Sequence, residues 1–419
     1  KPPLDGSIRL INRRDGTTHA LLKGHHSDVT AFEFYDNAKK AISGGVDGTL
    51  RLWDLKTKRQ IALLGRHPEA VVALAVTPNG RYAASVSGDC TRDPEMRAVY
   101  EKMLLKEERD MKAVHQCDES ISKAYAAGIV LWDLVEKREI ARIEGHESAV
   151  AQLMFHPDGQ RLISAGTDHF AYVYRMNWAP FKIDIERQWE LDDELVTALD
   201  IDGAGERVAI ATAESGSVWS LDRDDALYEA TGHSAPLSSI EFSPDDALLL
   251  TGSADETIRL WDAKTGAEIR VLQSDDHRPV YATFSPDGRR ILSSSCWSII
   301  DFGVSNDQFT DSQNEGTTKA ILWSTDTGRP LVSYPGFGST TNRAIFIDDG
   351  RNIVIGESSG HLNVWTTPDP IDDALVRDTG RLTNYRLCRH SNRPVPVIPF
   401  PEPDTIWAPD HLCQTVTNP

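Results

Sequence analysis

Residues 232–262 read GHSAPLSSIEFSPDDALLLTGSADETIRLWD. The stretch opens on Gly-His and closes on Trp-Asp, with alternating apolar runs between turn signals. Leu237 to Phe242 predicts a strand. Ser243-Pro244-Asp245-Asp246 predicts a turn, because proline fixes φ and aspartate bonds nearby backbone. Leu248 to Ser253 predicts a second strand, Ala254-Asp255-Glu256 a tight turn, and Ile258 to Trp261 a third strand. Lys264-Thr265-Gly266 turns the chain again before a fourth run, Glu268 to Leu272. Four short strands at hairpin spacing make an antiparallel meander. One such sheet cannot bury both its faces, so copies must stack.

Copies are present. Gly24-His25 opens a repeat with strands Val29–Phe34, Lys40–Ser43, Leu50–Trp53 and Arg59–Leu64. The next opens at His67, runs through Val71–Val76 and Tyr82–Ser85, stops at Cys90 and resumes at Gly128-Ile129-Val130-Leu131-Trp132-Asp133. The third opens at Gly145-His146, keeps Ser164 and Asp168, and has Tyr174-Arg175 where Trp-Asp is expected. The fourth has lost Gly-His and is read with Leu221 in the tryptophan position. Spacing supports it: His146 and His233 are 87 residues apart, against 42 for His25 to His67 and 44 for His233 to His277. The sixth opens at Asp276-His277, is interrupted from Cys296 to Lys319 and closes at Ile321-Leu322-Trp323. The seventh keeps Arg343–Ile347, Ile353–Gly356 and Leu362–Trp365.

This pattern resembles the WD repeat, the blade of a β-propeller. The resemblance implies a hydrogen-bonded tetrad of loop His, strand Ser or Thr, turn Asp and Trp. The matching residues are His25, Ser43, Asp47 and Trp53 in the first repeat, and His233, Thr251, Asp255 and Trp261 in the fifth. A buried indole N–H and a buried imidazole both need partners, so these residues read as structural. The expected fold is all-β, a seven-bladed propeller spanning 18–366. Thr18–Leu22 is expected to supply the missing outer strand of the seventh blade and so remove a free edge. Residues 1–17, with the strand-like Asp5–Leu10, read as a surplus half-repeat. That half-repeat and the absent initiator Met suggest a portion of a longer, bacterial-type multidomain protein.

The two interruptions, 90–127 and 296–319, fall between second and third strands. The resemblance places both on the face that carries the Gly-His loops, nearly across the ring from each other. Loops this long are usually functional or disordered. The first reads as helical: Asp93 suits the N-cap and Pro94 the first turn. Met96, Val99, Tyr100, Met103, Leu104, Met111 and Val114 recur at near-heptad spacing. Such a Met-bearing stripe is an adaptable contact surface, or it packs on the propeller itself. The second insert sets Trp297, Phe302 and Phe309 among polar residues with no period. The candidate partner-binding residues are therefore Met96, Tyr100, Met103, Leu104, Met111, Trp297, Phe302 and Phe309. After Thr367, a short helix is expected over 372–382. A Pro-rich extended tail follows, packed on the propeller, with Cys388 and Cys413 bracketing it and candidates to approach each other.

Composition narrows function. The chain has 419 residues, 44 Lys+Arg, 63 Asp+Glu and a net charge of -19. Nucleic-acid binding needs a basic footprint that this balance does not provide. Five cysteines with no ligand spacing argue against zinc. There is no apolar run of membrane-spanning length and no signal peptide, so a soluble, cytoplasmic setting is expected. Gly356-Glu357-Ser358-Ser359-Gly360 matches G-x-S-x-G, but it lies between strands and not at the strand-to-helix turn a nucleophile needs. Asp192-Asp193-Glu194 lacks the pattern of a calcium loop. No catalytic residue, cofactor or metal is expected. The reading is a non-enzymatic scaffold that binds a protein or peptide on its insert-bearing face. The alternatives are a sensing or autoinhibitory module of a larger protein, and an enzyme with a site at the channel mouth.

Overall fold

The computed structural model describes residues 8–11, 18–27, 29–36, 38–87, 128–147, 149–191, 196–213, 215–273, 281–294, 319–335, 341–347, 349–357, 362–367, 386–387 and 394–395. Among them there are strands and turns and no helix. They fall into two compact units, one built mainly from 17–213 and 219–227 and the other from 214–218 and 228 onward.

The first unit begins with β1 (Ile8–Ile11) and β2 (Thr18–Leu22), an antiparallel pair. A four-stranded meander follows: β3 (Val29–Tyr35), β4 (Lys40–Gly45), β5 (Thr49–Asp54) and β6 (Arg59–Arg66). The second sheet is β7 (Val71–Val76), β8 (Tyr82–Ser87), β9 (Ile129–Asp133) and β10 (Arg138–Ile143). The third is β11 (Val150–Phe155), β12 (Arg161–Gly166), β13 (Phe170–Trp178) and β14 (Phe181–Glu190). The fourth is β15 (Val196–Ile201), β16 (Arg207–Thr212), β17 (Gly216–Ser220) and β18 (Ala226–Ala230); the unit boundaries fall in its second half.

The second unit continues with β19 (Leu237–Phe242), β20 (Leu248–Ser253), β21 (Ile258–Asp262) and β22 (Glu268–Leu272). The sixth sheet is β23 (Tyr281–Phe284), β24 (Arg290–Ser294), β25 (Lys319–Ser324) and β26 (Pro330–Pro335). The seventh has three strands among the described residues: β27 (Thr341–Ile347), β28 (Asn352–Glu357) and β29 (Leu362–Thr366). In the tail, Arg386–Leu387 pairs with Pro394–Val395.

Turn chemistry sets these registers. In Ser243-Pro244-Asp245-Asp246 the Ser243 hydroxyl and the Ala247 amide donate to Asp245 Oδ1, at 2.6 and 3.2 Å. The last turn residue takes a positive φ, 61° at Asp246 and 69° at Gly288 in the equivalent turn, where glycine is unstrained and aspartate is tolerated.

Successive sheets within a unit pack face to face. Ile42, Leu52 and Leu64 of the first sheet meet Val71, Leu74 and Trp132 of the second. Ala73, Ala84, Ile129 and Leu131 line the opposite face of the second sheet and meet Phe155, Leu162 and Tyr174 of the third. Each strand alternates its apolar residues between two such cores, as the pleat requires.

Two expectations are corrected. Thr18–Leu22 does not complete the seventh sheet; its partner is Ile8–Ile11. The short connection makes that hairpin cheap to close, and Ile8 and Leu10 then join Leu22 over Ala41 and Trp53. The tryptophan of the fourth repeat is Trp219, not Leu221. The Leu221 amide donates to the Glu206 carbonyl at 3.2 Å, as Ala263 does to Ala247 at 3.0 Å in the fifth sheet. Leu221 therefore matches Ala263, and Trp219 matches Trp261. The connection between second and third strands is one residue shorter there, which shifts the count.

Candidate functional site: buried histidine relays and the insert-bearing turns

In the first sheet, Trp53 Nε1–H donates to Ser43 Oγ at 2.8 Å. The Ser43 hydroxyl donates to His25 Nε2 at 2.7 Å. His25 Nδ1–H donates to Asp47 Oδ1 at 3.0 Å. Asp47 also accepts from the amides of His26 and Thr49 and from the Thr49 hydroxyl. Ser43, Trp53 and His25 are buried. The fifth sheet repeats the relay through Trp261, Thr251, His233 and Asp255, at 2.9, 2.8 and 2.9 Å. The third carries Ser164, His146 and Asp168, with His146 at 2.7 Å from Ser164 and 2.9 Å from Asp168; Tyr174 takes the Trp position.

Charge follows from these bonds. Burial holds the His25 imidazole below its ordinary value, against the pull of Asp47. Burial alone would raise the Asp47 carboxyl, but bonds from Thr49, the His26 amide and His25 outweigh it and hold it well below the usual carboxylate range. Asp255 is held low in the same way by His233 and Thr257. Each of the three places an imidazole between a hydroxyl and a carboxylate. The trio resembles a hydrolase triad in composition, yet the hydroxyl oxygen already accepts from an indole and is sealed from solvent. A nucleophile needs an exposed oxygen.

The second sheet holds a relay that sequence spacing hides. Trp132 Nε1–H donates to Ser85 Oγ at 2.7 Å, and the Ser85 hydroxyl donates to His67 Nε2 at 2.7 Å. Burial pushes the His67 imidazole down to about 4, helped by the Arg142 charge. Ser85 and Trp132 flank the first insert. The signal that finds the pair is the Trp-Asp at 132–133 once the insert is set aside. In the sixth sheet Trp323 donates to Ser293 at 2.8 Å across the second insert.

These bonds locate the inserts. In the first sheet the turn between second and third strands carries Asp47, which caps the His25 loop. The equivalent turns of the second and sixth sheets are where residues 88–127 and 295–318 depart, between strands still paired in register (Ser85 with Val130, Ser294 with Ala320). Met96, Tyr100, Met103, Leu104, Met111, Trp297, Phe302 and Phe309 lie outside the described residues, as do the expected helices and Asp192-Asp193-Glu194. Among the described residues no group of three or more His, Cys, Asp or Glu is placed to hold a metal. No helix among them is long and apolar enough to cross a membrane.

Stacked antiparallel meanders, of which the first and fifth carry the full Trp–Ser/Thr–His–Asp relay, are consistent with the blades of a WD-repeat propeller, and three stretches of the chain match the WD repeat. The family model "WD domain, G-beta repeat" matches residues 16–54, 137–175 and 225–262. The chain is 24% identical over 383 residues to periodic tryptophan protein 2 of Arabidopsis thaliana, covering 88% of this chain and 41% of that protein. It is 25% identical to a ribosome biogenesis protein WDR12 homolog of Trichoplax adhaerens, covering 69% of this chain and 68% of that one. The crystal structure of the computationally designed Ika8 protein superimposes with a TM-score of 0.64 at 21% identity, over 87% of this chain and 91% of that chain. This last likeness speaks to the fold.

Proposed function

We propose that this chain is a non-enzymatic WD-repeat scaffold, a seven-bladed propeller that binds a protein or peptide at the sheet ends from which residues 88–127 and 295–318 depart. The observation that carries the reading is the use of the polar residues. The histidines, hydroxyls and carboxylates most able to do chemistry are buried and bonded to one another within single sheets. What remains for function is surface, and the two longest departures from the repeat leave from the same turn of their sheets. Met96, Tyr100, Met103, Leu104 and Met111 on one insert, and Trp297, Phe302 and Phe309 on the other, supply apolar contacts of the kind that anchor protein partners. The net charge of -19 disfavours nucleic acid. A relative named for ribosome biogenesis fits work within a protein assembly. The test deletes residues 94–116 and compares partners captured by the variant and the intact chain. Loss of specific partners from a variant with an unchanged melt supports the reading. An unchanged capture profile overturns this site.

A further inference from the structure

The outer strand of the third sheet departs from its counterparts. β14 spans ten residues, against eight, six, five, five and six in the outer strands of the first, second, fourth, fifth and sixth sheets. It is the end strand of its sheet, and no strand among the described residues pairs with its outer edge. Residues 181–185 read Phe-Lys-Ile-Asp-Ile and pair one to one with Trp178 back to Tyr174. Glu186 has no counterpart on β13, so a bulge ends this regular stretch on one side. Pro180, which has no N–H to donate, ends it on the other.

Alternation along the strand puts Phe181, Ile183 and Ile185 on one face and Lys182 and Asp184 on the other. Ile183 and Trp178 pack against the core between the second and third sheets. Phe181 and Ile185 remain 39% and 52% exposed. Lys182 Nζ reaches Asp184 Oδ2 at 2.7 Å along the strand, with both side chains more than half exposed.

This stretch is its own complement. Turned about a two-fold axis through Ile183, an antiparallel copy sets Phe181 against Ile185, Lys182 against Asp184, and Ile183 against itself. Opposite charges directly across an antiparallel pair stabilise it and like charges destabilise it. The same operation about Ile140 on β10 sets Arg138 against Arg142, and about Arg270 on β22 sets that arginine against itself. A lysine on an edge strand ordinarily discourages pairing; here Asp184, two residues on, gives it a partner in the copy.

We infer that β14 is a self-association edge for a second copy of this chain. Two copies pair antiparallel through residues 181–185 and join their third sheets into one continuous sheet, an isologous contact in which each Lys182 meets the other copy's Asp184. Five residues a side fall well short of the roughly 20–30 of a standard interface, so the dimer is weak and dependent on concentration.

Sedimentation equilibrium of the full chain from about 1 to 300 µM, a range that brackets weak association, should show a monomer passing to a dimer. Hydrogen exchange over 181–185 should slow as concentration rises. Lys182→Asp and Asp184→Lys each replace two attractive pairs by two like-charged ones, so each should raise the dimer Kd by about tenfold or more. An equimolar mixture of the two variants should associate again, because each strand then complements the other. Lys182→Asp combined with Asp184→Lys in one chain should restore self-association. Both side chains are exposed, so the variants keep the fold, checked by their melts. Three outcomes overturn the inference: a chain monomeric throughout the range, a dimer indifferent to either charge reversal, or a mixture that associates no better than its components.

Discussion

Trp132 Nε1–H and Ser85 Oγ are 2.7 Å apart although 47 positions separate them in sequence. The bond closes the second sheet beneath its insert. Ser85→Ala would leave the indole N–H without its acceptor and His67 Nε2 without its donor, both buried. Each buried orphan costs about 1–3 kcal/mol, so a loss of roughly 2–5 kcal/mol is expected in chemical denaturation. Ser85→Thr keeps the hydroxyl and should lose much less.

The same bond predicts that the insert is dispensable for folding. Removing 94–116 leaves β8, β9 and their pairing intact. The expected result is an unchanged far-ultraviolet spectrum and a Tm within about 1 °C of the parent, which corresponds to roughly 1 kcal/mol at this size. A collapse of the melt would show that the insert is part of the core.

Asp47 accepts from four donors at once: His25, the His26 amide, and the Thr49 amide and hydroxyl. Asp47→Ala should therefore cost about 2–4 kcal/mol. Asp255→Ala should behave similarly, because its donors are His233, Ser234 and Thr257. Urea midpoints of the two variants provide the measure.

Stability should fall with acid in two stages. His67 titrates at about 4 when folded, against roughly 6.5 unfolded. Between those values the unfolded chain binds the extra proton, so stability rises with pH across the window. The difference is about 3 kcal/mol, lost by pH 4. Asp47 and Asp255, held low when folded, add a further loss as pH falls below the unfolded carboxylate value. Urea midpoints at pH 7.5, 5.5 and 4.5 should decline in that order, and His67→Gln should flatten the first stage.

Trp219 stacks on Trp189 with centroids 5.4 Å apart, inside the core of the third and fourth sheets. Trp219→Ala should cost about 3–5 kcal/mol. Matching Trp219 and not Leu221 to Trp261 also predicts that Leu221→Ala costs less. Equal effects would contradict that alignment.

Much of this fold was legible because each repeat is complete within about forty residues, so strand alternation and turn residues speak locally. The Ser43–Trp53 and Thr251–Trp261 relays could be read at a spacing of ten. The Ser85–Trp132 relay could not, since the insert breaks the spacing. The fourth repeat misled because one missing turn residue moved Trp219 out of the counted place, and Ile210 replaces the hydroxyl that would have flagged it. The pairing of Thr18–Leu22 was ambiguous because one strand can serve either of two edges, and only the packing of Ile8 and Leu10 decides.

The insert in the second sheet has a kinetic consequence. Its second and third strands enclose about forty residues where the first sheet encloses three, and logarithmic loop closure makes that roughly 2 kcal/mol less favourable. The hairpin β4–β5 can zip before the chain has diffused far, whereas β8 must wait for β9 to return. The second sheet is then the rate-setting member of its unit, and the His67–Ser85–Trp132 relay is the latch that forms last and holds the returned strand in place.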